Sequence, residues 1–138
     1  MKIGYIGLGK MGMNMVLRLR EKGNDVVAYD RNEKTRAQAR GSGISVADSY
    51  DELVKELSTP RVLWIMVPNS AVDEVVREIA PMLSNGDTII DGGNSFYKDS
   101  VRRSKELTAK GFHFVDVGTS GGPGGARDGA CRMIGGEE

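Results

Sequence analysis

Lys2-Ile-Gly-Tyr-Ile-Gly-Leu-Gly-Lys-Met-Gly12 decides the fold of this chain. Lys2 to Ile6 is a short apolar strand pattern, and a helical pattern runs from Met11 to about Lys22. Three glycines mark the junction, Gly7 and Gly9 between the two and Gly12 in the first turn of the helix. Gly7 permits the tight turn out of the strand, Gly9 lets a ligand come against bare backbone, and Gly12 lets helix pack closely on strand. The helix then begins with free N–H groups and the positive end of its dipole, which suits an anion such as a pyrophosphate. The next apolar run, Asp25 to Tyr29, ends in Asp30, eighteen residues past Gly12. An acid at the tip of the second strand can accept hydrogen bonds from ribose hydroxyls. Strand, glycine turn, helix and acid at this spacing together read as a dinucleotide-binding unit.

Asp30 and Arg31 pull in opposite directions over the dinucleotide. A carboxylate here favours the free 2′-hydroxyl of NAD and repels a 2′-phosphate, whereas a neighbouring guanidinium can pair with that phosphate. Asn32 and Arg36 could add donors. The reading is NAD, with NADP possible.

Outward from this unit the chain keeps alternating. A polar helix is expected from about Glu33 to Arg40, a third strand over Ser42 to Val46, and a capped helix opening at Ser49 and reaching about Leu57. Arg61 to Val67 is a continuous apolar run of the kind buried on both faces of a parallel sheet, ended by Pro68. Ser70 is expected to cap the next helix, whose apolar residues Val72, Val75, Val76, Ile79 and Leu83 keep helical spacing. Thr88 to Asp91 is a fifth strand, Lys98 to Lys110 a charged amphipathic helix, and His113 to Val117 a sixth strand. The fold class is therefore α/β, a doubly wound parallel sheet of Rossmann type. In such a sheet the ligand sits outside the carboxyl ends of the strands. Four loops qualify: Gly7 to Gly12, Met66 to Ser70, Asp91 to Phe96, and Gly118 to Gly129.

The last of these belongs to Asp116-Val-Gly-Thr-Ser-Gly-Gly-Pro-Gly-Gly-Ala-Arg-Asp-Gly129, with six glycines in fourteen residues. Glycine is disfavoured inside helices and strands, so this density predicts a ligand loop between the sixth strand and another apolar segment, Ala130 to Ile134. Asp91-Gly-Gly-Asn-Ser95 is a second glycine-rich strand end, where Asn94 offers a donor and an acceptor.

Composition narrows the class. At 138 residues the chain is one domain's worth, and nineteen basic residues balance nineteen acidic ones. That leaves no electrostatic footprint for nucleic acid or an anionic membrane. No apolar stretch approaches a membrane span or signal core, and the expected location is cytoplasmic. The single cysteine, Cys131, allows no internal disulfide and is expected to be a buried, inert thiol. The single histidine, His113, has no cluster around it, and no metal site is expected.

At this point the motifs carry a resemblance. GLGKMG, MVPNSAVDEV, IIDGGNS with FYKDS, and DVGTSGGPGGARDGACRMIGG together resemble the N-terminal, cofactor-binding part of 6-phosphogluconate dehydrogenase, in its shorter bacterial form. The wider family is the β-hydroxyacid dehydrogenases. The resemblance implies that Gly7, Leu8, Gly9, Lys10, Met11 and Gly12 bind the cofactor pyrophosphate, and that Asp30, Arg31 and Asn32 face the adenosine ribose. Met66, Val67 and Pro68 would pass along the cofactor. Asn94 would contact cofactor and substrate, and Ser120, Gly121 and Gly122 would hold the carboxylate and hydroxyl end of 6-phosphogluconate. In that family hydride leaves C3 of the sugar acid for the nicotinamide while a lysine takes the hydroxyl proton. The β-keto acid loses carbon dioxide, and a glutamate helps protonate the enediol to give ribulose 5-phosphate. The implied setting is the pentose phosphate pathway and gluconate utilization, in a homo-oligomeric enzyme.

The family's lysine lies in a Lys-x-x-His-Asn stretch, with the glutamate shortly after, and residues 1–138 contain neither element. The expectation is thus an NAD(P)-binding domain over 1–138, incomplete at its C-terminus, without the all-helical second domain and with no catalytic residue of its own. Lys98, Lys105 and Lys110 are expected to be solvated. Two other readings are a stand-alone dinucleotide-binding or regulatory module and a related β-hydroxyacid dehydrogenase with a different substrate.

Overall fold

The computed structural model describes residues 1–136; Glu137 and Glu138, the last two of the predicted domain, lie outside the described residues. Among the described residues seven strands form one sheet, in the order β3-β2-β1-β4-β5-β6-β7. They are β1 (Lys2–Ile6), β2 (Asp25–Tyr29), β3 (Ser45–Val46), β4 (Val62–Ile65), β5 (Thr88–Asp91), β6 (His113–Ser120) and β7 (Cys131–Gly136). The helices are α1 (Lys10–Glu21), α2 (Glu33–Gly41), α3 (Tyr50–Lys55), α4 (Asn69–Ile79), α5 (Tyr97–Ala109) and α6 (Gly122–Asp128). A 3-10 turn, Ala80–Met82, extends α4.

The sheet is parallel from β3 through β6, as the alternation predicts. It departs at the edge, where β7 runs antiparallel to β6, with Val117 opposite Ile134 and Ser120 opposite Cys131. The physical reason is connection length. Only α6 separates β6 from β7, and a parallel return needs a crossover of a dozen or more residues.

Successive residues of a strand point to opposite faces, and here they divide between two cores. Ile6, Val27, Leu63, Ile65 and Ile89 pack with Leu53, Val72, Ile79 and Leu107 from α3, α4 and α5. Tyr5, Val26 and Ala28 pack on the other face with Met15 and Val16 of α1, Ala39 of α2 and Ala126 of α6. Leu63, Ile65 and Ile89 are wholly buried, each burial being worth roughly 1.5–3 kcal/mol. Two covered faces explain why β4 reads as an unbroken apolar run.

Two cap predictions meet different outcomes. Ser49 Oγ accepts from Glu52 N (3.1 Å), and Glu52 Oε2 accepts from Asp48 N (2.8 Å), a capping box shifted back by one residue. Ser70, by contrast, caps nothing. Helix α4 begins at Asn69 behind Pro68 with no side-chain cap, because the fixed φ of Pro68 and the network around Asn69 set the start two residues earlier.

Candidate functional site

The strand order reverses between β1 and β4, so the carboxyl ends of these neighbours diverge and leave a crevice. Gly7 ends β1 with φ +100, and its N–H donates to Tyr29 O (2.9 Å). A Cβ on Gly7 would overlap the Met66 carbonyl, and one on Gly12 would overlap the Gly7 carbonyl. Both glycines are forced by close approach of backbone to backbone. Gly9 is different: nothing lies within 4 Å of a Cβ placed there. It is the extended N-cap of α1, which has no side-chain cap and no acidic residue in its first turn. The helix therefore presents unblocked N–H groups to open space, the arrangement that receives a phosphate.

Beside this turn lies a cleft of about 530 Å³. Of the predicted residues, Gly7, Gly9, Asp30, Arg31, Met66, Val67 and Pro68 line it. Leu8 is buried beneath the turn, Lys10 opens α1 exposed to solvent, and Met11 is half-buried.

Asp30 does more than face a ribose. Its Oδ2 accepts from Leu8 N (2.8 Å) and its Oδ1 from Asn32 N (2.8 Å), so the carboxylate braces the glycine turn against the start of α2. Each oxygen keeps a free lone pair for a ligand hydroxyl. The Asn32 side chain caps α2, its Oδ1 accepting from Lys34 N (2.9 Å) and Thr35 N (3.3 Å). Arg36 donates to the carbonyls of Asp30 (2.9 Å) and Arg31 (3.2 Å) and pairs with Asp48. Asn32 and Arg36, expected as ligand donors, are thus largely spent on holding the turn. Arg31 is exposed on the cleft and forms no ion pair among the described residues.

Sequence reasoning missed the far wall of the cleft. Tyr29 and Tyr50 meet at 4.5 Å between ring centroids, and Glu74 and Glu78 of α4 line the same cleft. Burial, then Tyr29, Glu78 and Glu74, push the Tyr50 hydroxyl up to about 12. The i, i+4 spacing of Glu74 and Glu78 opposite the apolar stripe of α4 was the available signal.

The second group of predicted residues is arranged separately. Asn94 sits at φ +56, in the left-handed region. Its side chain pairs with one backbone residue in both directions: Nδ2 donates to Thr119 O and Oδ1 accepts from Thr119 N, both at 2.8 Å. This amide ties the β5–α5 turn to β6 and retains one N–H and one lone pair. Asn94 lines a cavity of about 360 Å³ with Ser95, Asp116, Gly118 and Met133. It does not line the larger cleft, and Ser120, Gly121 and Gly122 line neither.

The expected ligand loop from Gly118 to Gly129 is mostly regular structure. β6 runs on to Ser120, and α6 occupies Gly122–Asp128. Tertiary anchors override glycine's helix penalty here. Ala126 is buried against the α1 side of the sheet, Asn14 Nδ2 donates to Pro123 O (2.9 Å), Arg18 donates to Arg127 O (3.2 Å), and Arg127 pairs with Glu21. Cys131, expected to be buried, is exposed. Every described residue of β7 is exposed, and among the described residues no helix covers this edge strand.

Lys98, Lys105 and Lys110 are exposed on or just past α5, as expected, and His113 is exposed at the opening end of β6. Among the described residues no group of three or more His, Cys, Asp or Glu could hold a metal, and no helix is long and apolar enough to cross a membrane.

The residues present fit a dinucleotide: an uncapped helix start, a bare-backbone approach at Gly9 and an acid with spare lone pairs converge on one cleft. Comparison with known proteins agrees. The family described as the NAD binding domain of 6-phosphogluconate dehydrogenase matches residues 2–138. An NAD(+)-dependent, decarboxylating 6-phosphogluconate dehydrogenase of Haloferax volcanii is 41% identical over the whole chain, which spans 46% of that protein. A Plasmodium falciparum 6-phosphogluconate dehydrogenase, solved apo, with its cofactor NADP+ and with its substrate 6-phosphogluconate, superposes with a TM-score of 0.94 at 33% identity. The match covers all of this chain and 31% of that one. A Mycobacterium tuberculosis 3-hydroxyisobutyrate dehydrogenase solved with L-serine gives a TM-score of 0.89 at 25% identity, covering 99% of this chain and 47% of that one. The chain therefore spans less than half the length of these relatives.

Proposed function

The chain belongs to the family of NAD-binding domains of 6-phosphogluconate dehydrogenase, and from that premise we propose that it is the cofactor half of an enzyme that oxidises and decarboxylates 6-phosphogluconate to ribulose 5-phosphate. One observation carries the cofactor part. The uncapped N-terminus of α1, reached through Gly7 and Gly9, opens at the switch point between β1 and β4 beside a 530 Å³ cleft. When bound there, NAD supplies the hydride acceptor. The backbone from Gly7 to Gly12 holds its pyrophosphate, Asp30 accepts from the adenosine ribose, and Met66 to Pro68 border it. The Asn94 amide, with one free N–H and one free lone pair, faces cofactor and substrate, and Ser120 to Gly122 meet the sugar acid.

In this reading the residues that move the substrate's protons lie in the additional length that the relatives possess. No lysine lines the cleft, and Lys98, Lys105 and Lys110 are solvated. The setting is the pentose phosphate pathway in the cytoplasm, and the complete enzyme is a homo-oligomer. The likeness to 3-hydroxyisobutyrate dehydrogenase supports a second reading, a β-hydroxyacid dehydrogenase with another substrate.

Calorimetric titration of the chain with NAD and NADP tests the cofactor part. NAD should bind more tightly, and Asp30→Ala should weaken it about tenfold by removing the turn's brace and the ribose acceptor. The NADP-to-NAD affinity ratio should rise at the same time. An unchanged ratio would remove Asp30 as the discriminator. Turnover of 6-phosphogluconate but not 3-hydroxyisobutyrate by the longer protein separates the two substrates.

A further inference from the structure

Helix α5 carries a buried cation that the cofactor cleft does not itself require. The Arg103 side chain is 3% exposed, and Asp91, beside it, is wholly buried. Arg103 Nε donates to Asp73 Oδ1 (2.8 Å) and Nη2 to Asp73 Oδ2 (3.2 Å). Its Nη1 donates to Asn69 Oδ1 (3.0 Å) and Nη2 to the Asn69 carbonyl (3.3 Å), while Nη1 lies 3.5 Å from Asp91 Oδ2. Asp91 in turn accepts from Gly93 N (3.0 Å) and from the Ser95 hydroxyl.

One guanidinium therefore holds the start of α4 and, through Asp91, the turn between β5 and α5. These two turns touch directly, since a Cβ on Gly93 would overlap the Val67 carbonyl. The first turn carries Met66, Val67 and Pro68 of the cleft. The second carries Asn94, which is bonded to Thr119. A buried guanidinium is costly unless its fork is filled. Here it is filled by groups from both turns and from Asp73 of α4, so the cost is recovered only at one relative placement of them. Arg102 offers an internal contrast. It shares Asp73 (2.8 Å) but is 44% exposed, and among the described residues it forms no ion pair or hydrogen bond with either turn.

We propose that Arg103 is a positioning residue that locks the Met66–Asn69 turn to the Asp91–Ser95 turn, setting the spacing between the cofactor cleft and the Asn94 edge. This inference rests on the dinucleotide reading of the cleft for its functional consequence.

The test uses the intact 138-residue chain with Arg103→Gln and Arg103→Lys, and Arg102→Gln as control. Three quantities are read: NAD affinity, thermal midpoint, and amide exchange at Gly93 and Thr119. Both Arg103 variants should raise the Kd for NAD about tenfold, because neither a neutral amide nor a single ammonium can span Asp73, Asn69 and Asp91. Exchange at Gly93 and Thr119 should quicken, and Arg102→Gln should leave Kd and exchange unchanged. A lowered thermal midpoint with unchanged Kd and unchanged exchange would overturn the proposal, leaving Arg103 a purely structural pair. If Arg103→Gln does not fold, Asn69→Ala removes one arm of the lock and should show the same loosening; its absence there is equally fatal. Failure of the unmodified chain to bind NAD would overturn the cofactor reading instead, while exchange in the variants would still decide the lock.

Discussion

At the end of β1 the chain turns through Gly7 and Gly9 into α1; at the end of β6 it turns through Gly121 and Gly122 into α6. Both turns are glycine-rich strand-to-helix junctions at the carboxyl edge of one sheet, yet their glycines answer to different demands. In the first, Cβ atoms at Gly7 and Gly12 would collide with backbone, which no rotamer change relieves. In the second, Gly124 has nothing within 4 Å of a Cβ and is exposed, while Gly121 (φ +115) and Gly122 (φ +62) answer to a left-handed backbone. The first turn is fixed from all sides, by Met66, Tyr29 and Asp30. The second is fixed from below, by α1. Glycine density alone does not separate these demands; the neighbours of each Cβ position and the sign of φ do.

The largest expected effect breaks the first turn. Gly12→Val places a branched side chain against the Gly7 carbonyl and Tyr5, an overpacking that should cost about 3 kcal/mol or more. Thermal denaturation should show the loss and titration should show no NAD binding. Retention of full affinity would mean that the turn can open without penalty and that the two junctions are alike after all. The matching change in the second turn should do the reverse. Gly124→Ala adds a methyl group into open space within α6, and should stabilise by about 0.5–1 kcal/mol through helix propensity and a less flexible unfolded chain. Its NAD affinity should stay at the unmodified value. Loss of binding would place α6 in the pyrophosphate cradle and erase the contrast.

The same contrast explains what the sequence made legible. The first turn is read from local pattern: strand, Gly7, Gly9, Gly12, helix and Asp30 all fall within one supersecondary unit, and the structure brings Gly7, Gly9 and Asp30 to one cleft. The parallel order of β1 to β6 follows from the same alternation. What escaped depends on contacts distant in sequence. Asp30 reaches back to Leu8 N, Asn94 spends its amide on Thr119, and α6 exists because Asn14, Arg18 and Glu21 hold it. The reversed direction of β7 and the exposure of Cys131 likewise follow from the placement of α6 and from the uncovered edge, which no local period encodes. Glycine-rich composition favoured a loop from Gly118 to Gly129, and tertiary anchoring outweighed it.

Two carboxyl groups near the Arg103 lock carry the contrast into pH dependence, with the smallest expected effects. On the cofactor side, hydrogen bonding to Arg103 and then Arg102 pulls the Asp73 carboxyl down from 3.8 to about 2. Between those values the unfolded chain holds a proton that the folded chain does not, so stability rises with pH across this window. The contribution is present above about pH 4 and is lost as pH falls towards 2; with Asp73 42% exposed, solvent screening keeps it below about 1 kcal/mol. On the β6 side, burial and then the neighbouring Asp91 charge raise the Asp116 carboxyl above its ordinary value. Among the described residues neither its Oδ1 nor the Thr119 hydroxyl on the same strand has a hydrogen-bond partner. The sign is therefore opposite: the folded chain keeps this proton longer, and stability falls as pH rises from 3.8 through the raised value. Asp73→Asn should flatten the acid limb of a plot of thermal midpoint against pH. Asp116→Asn should raise the midpoint at pH 7 by on the order of 1–2 °C and leave the acid limb in place. A lower midpoint for Asp116→Asn at pH 7 would mean that the carboxylate is paired after all. The β6 side would then be as fully satisfied as the cofactor side, where Asp30 accepts from two backbone N–H groups.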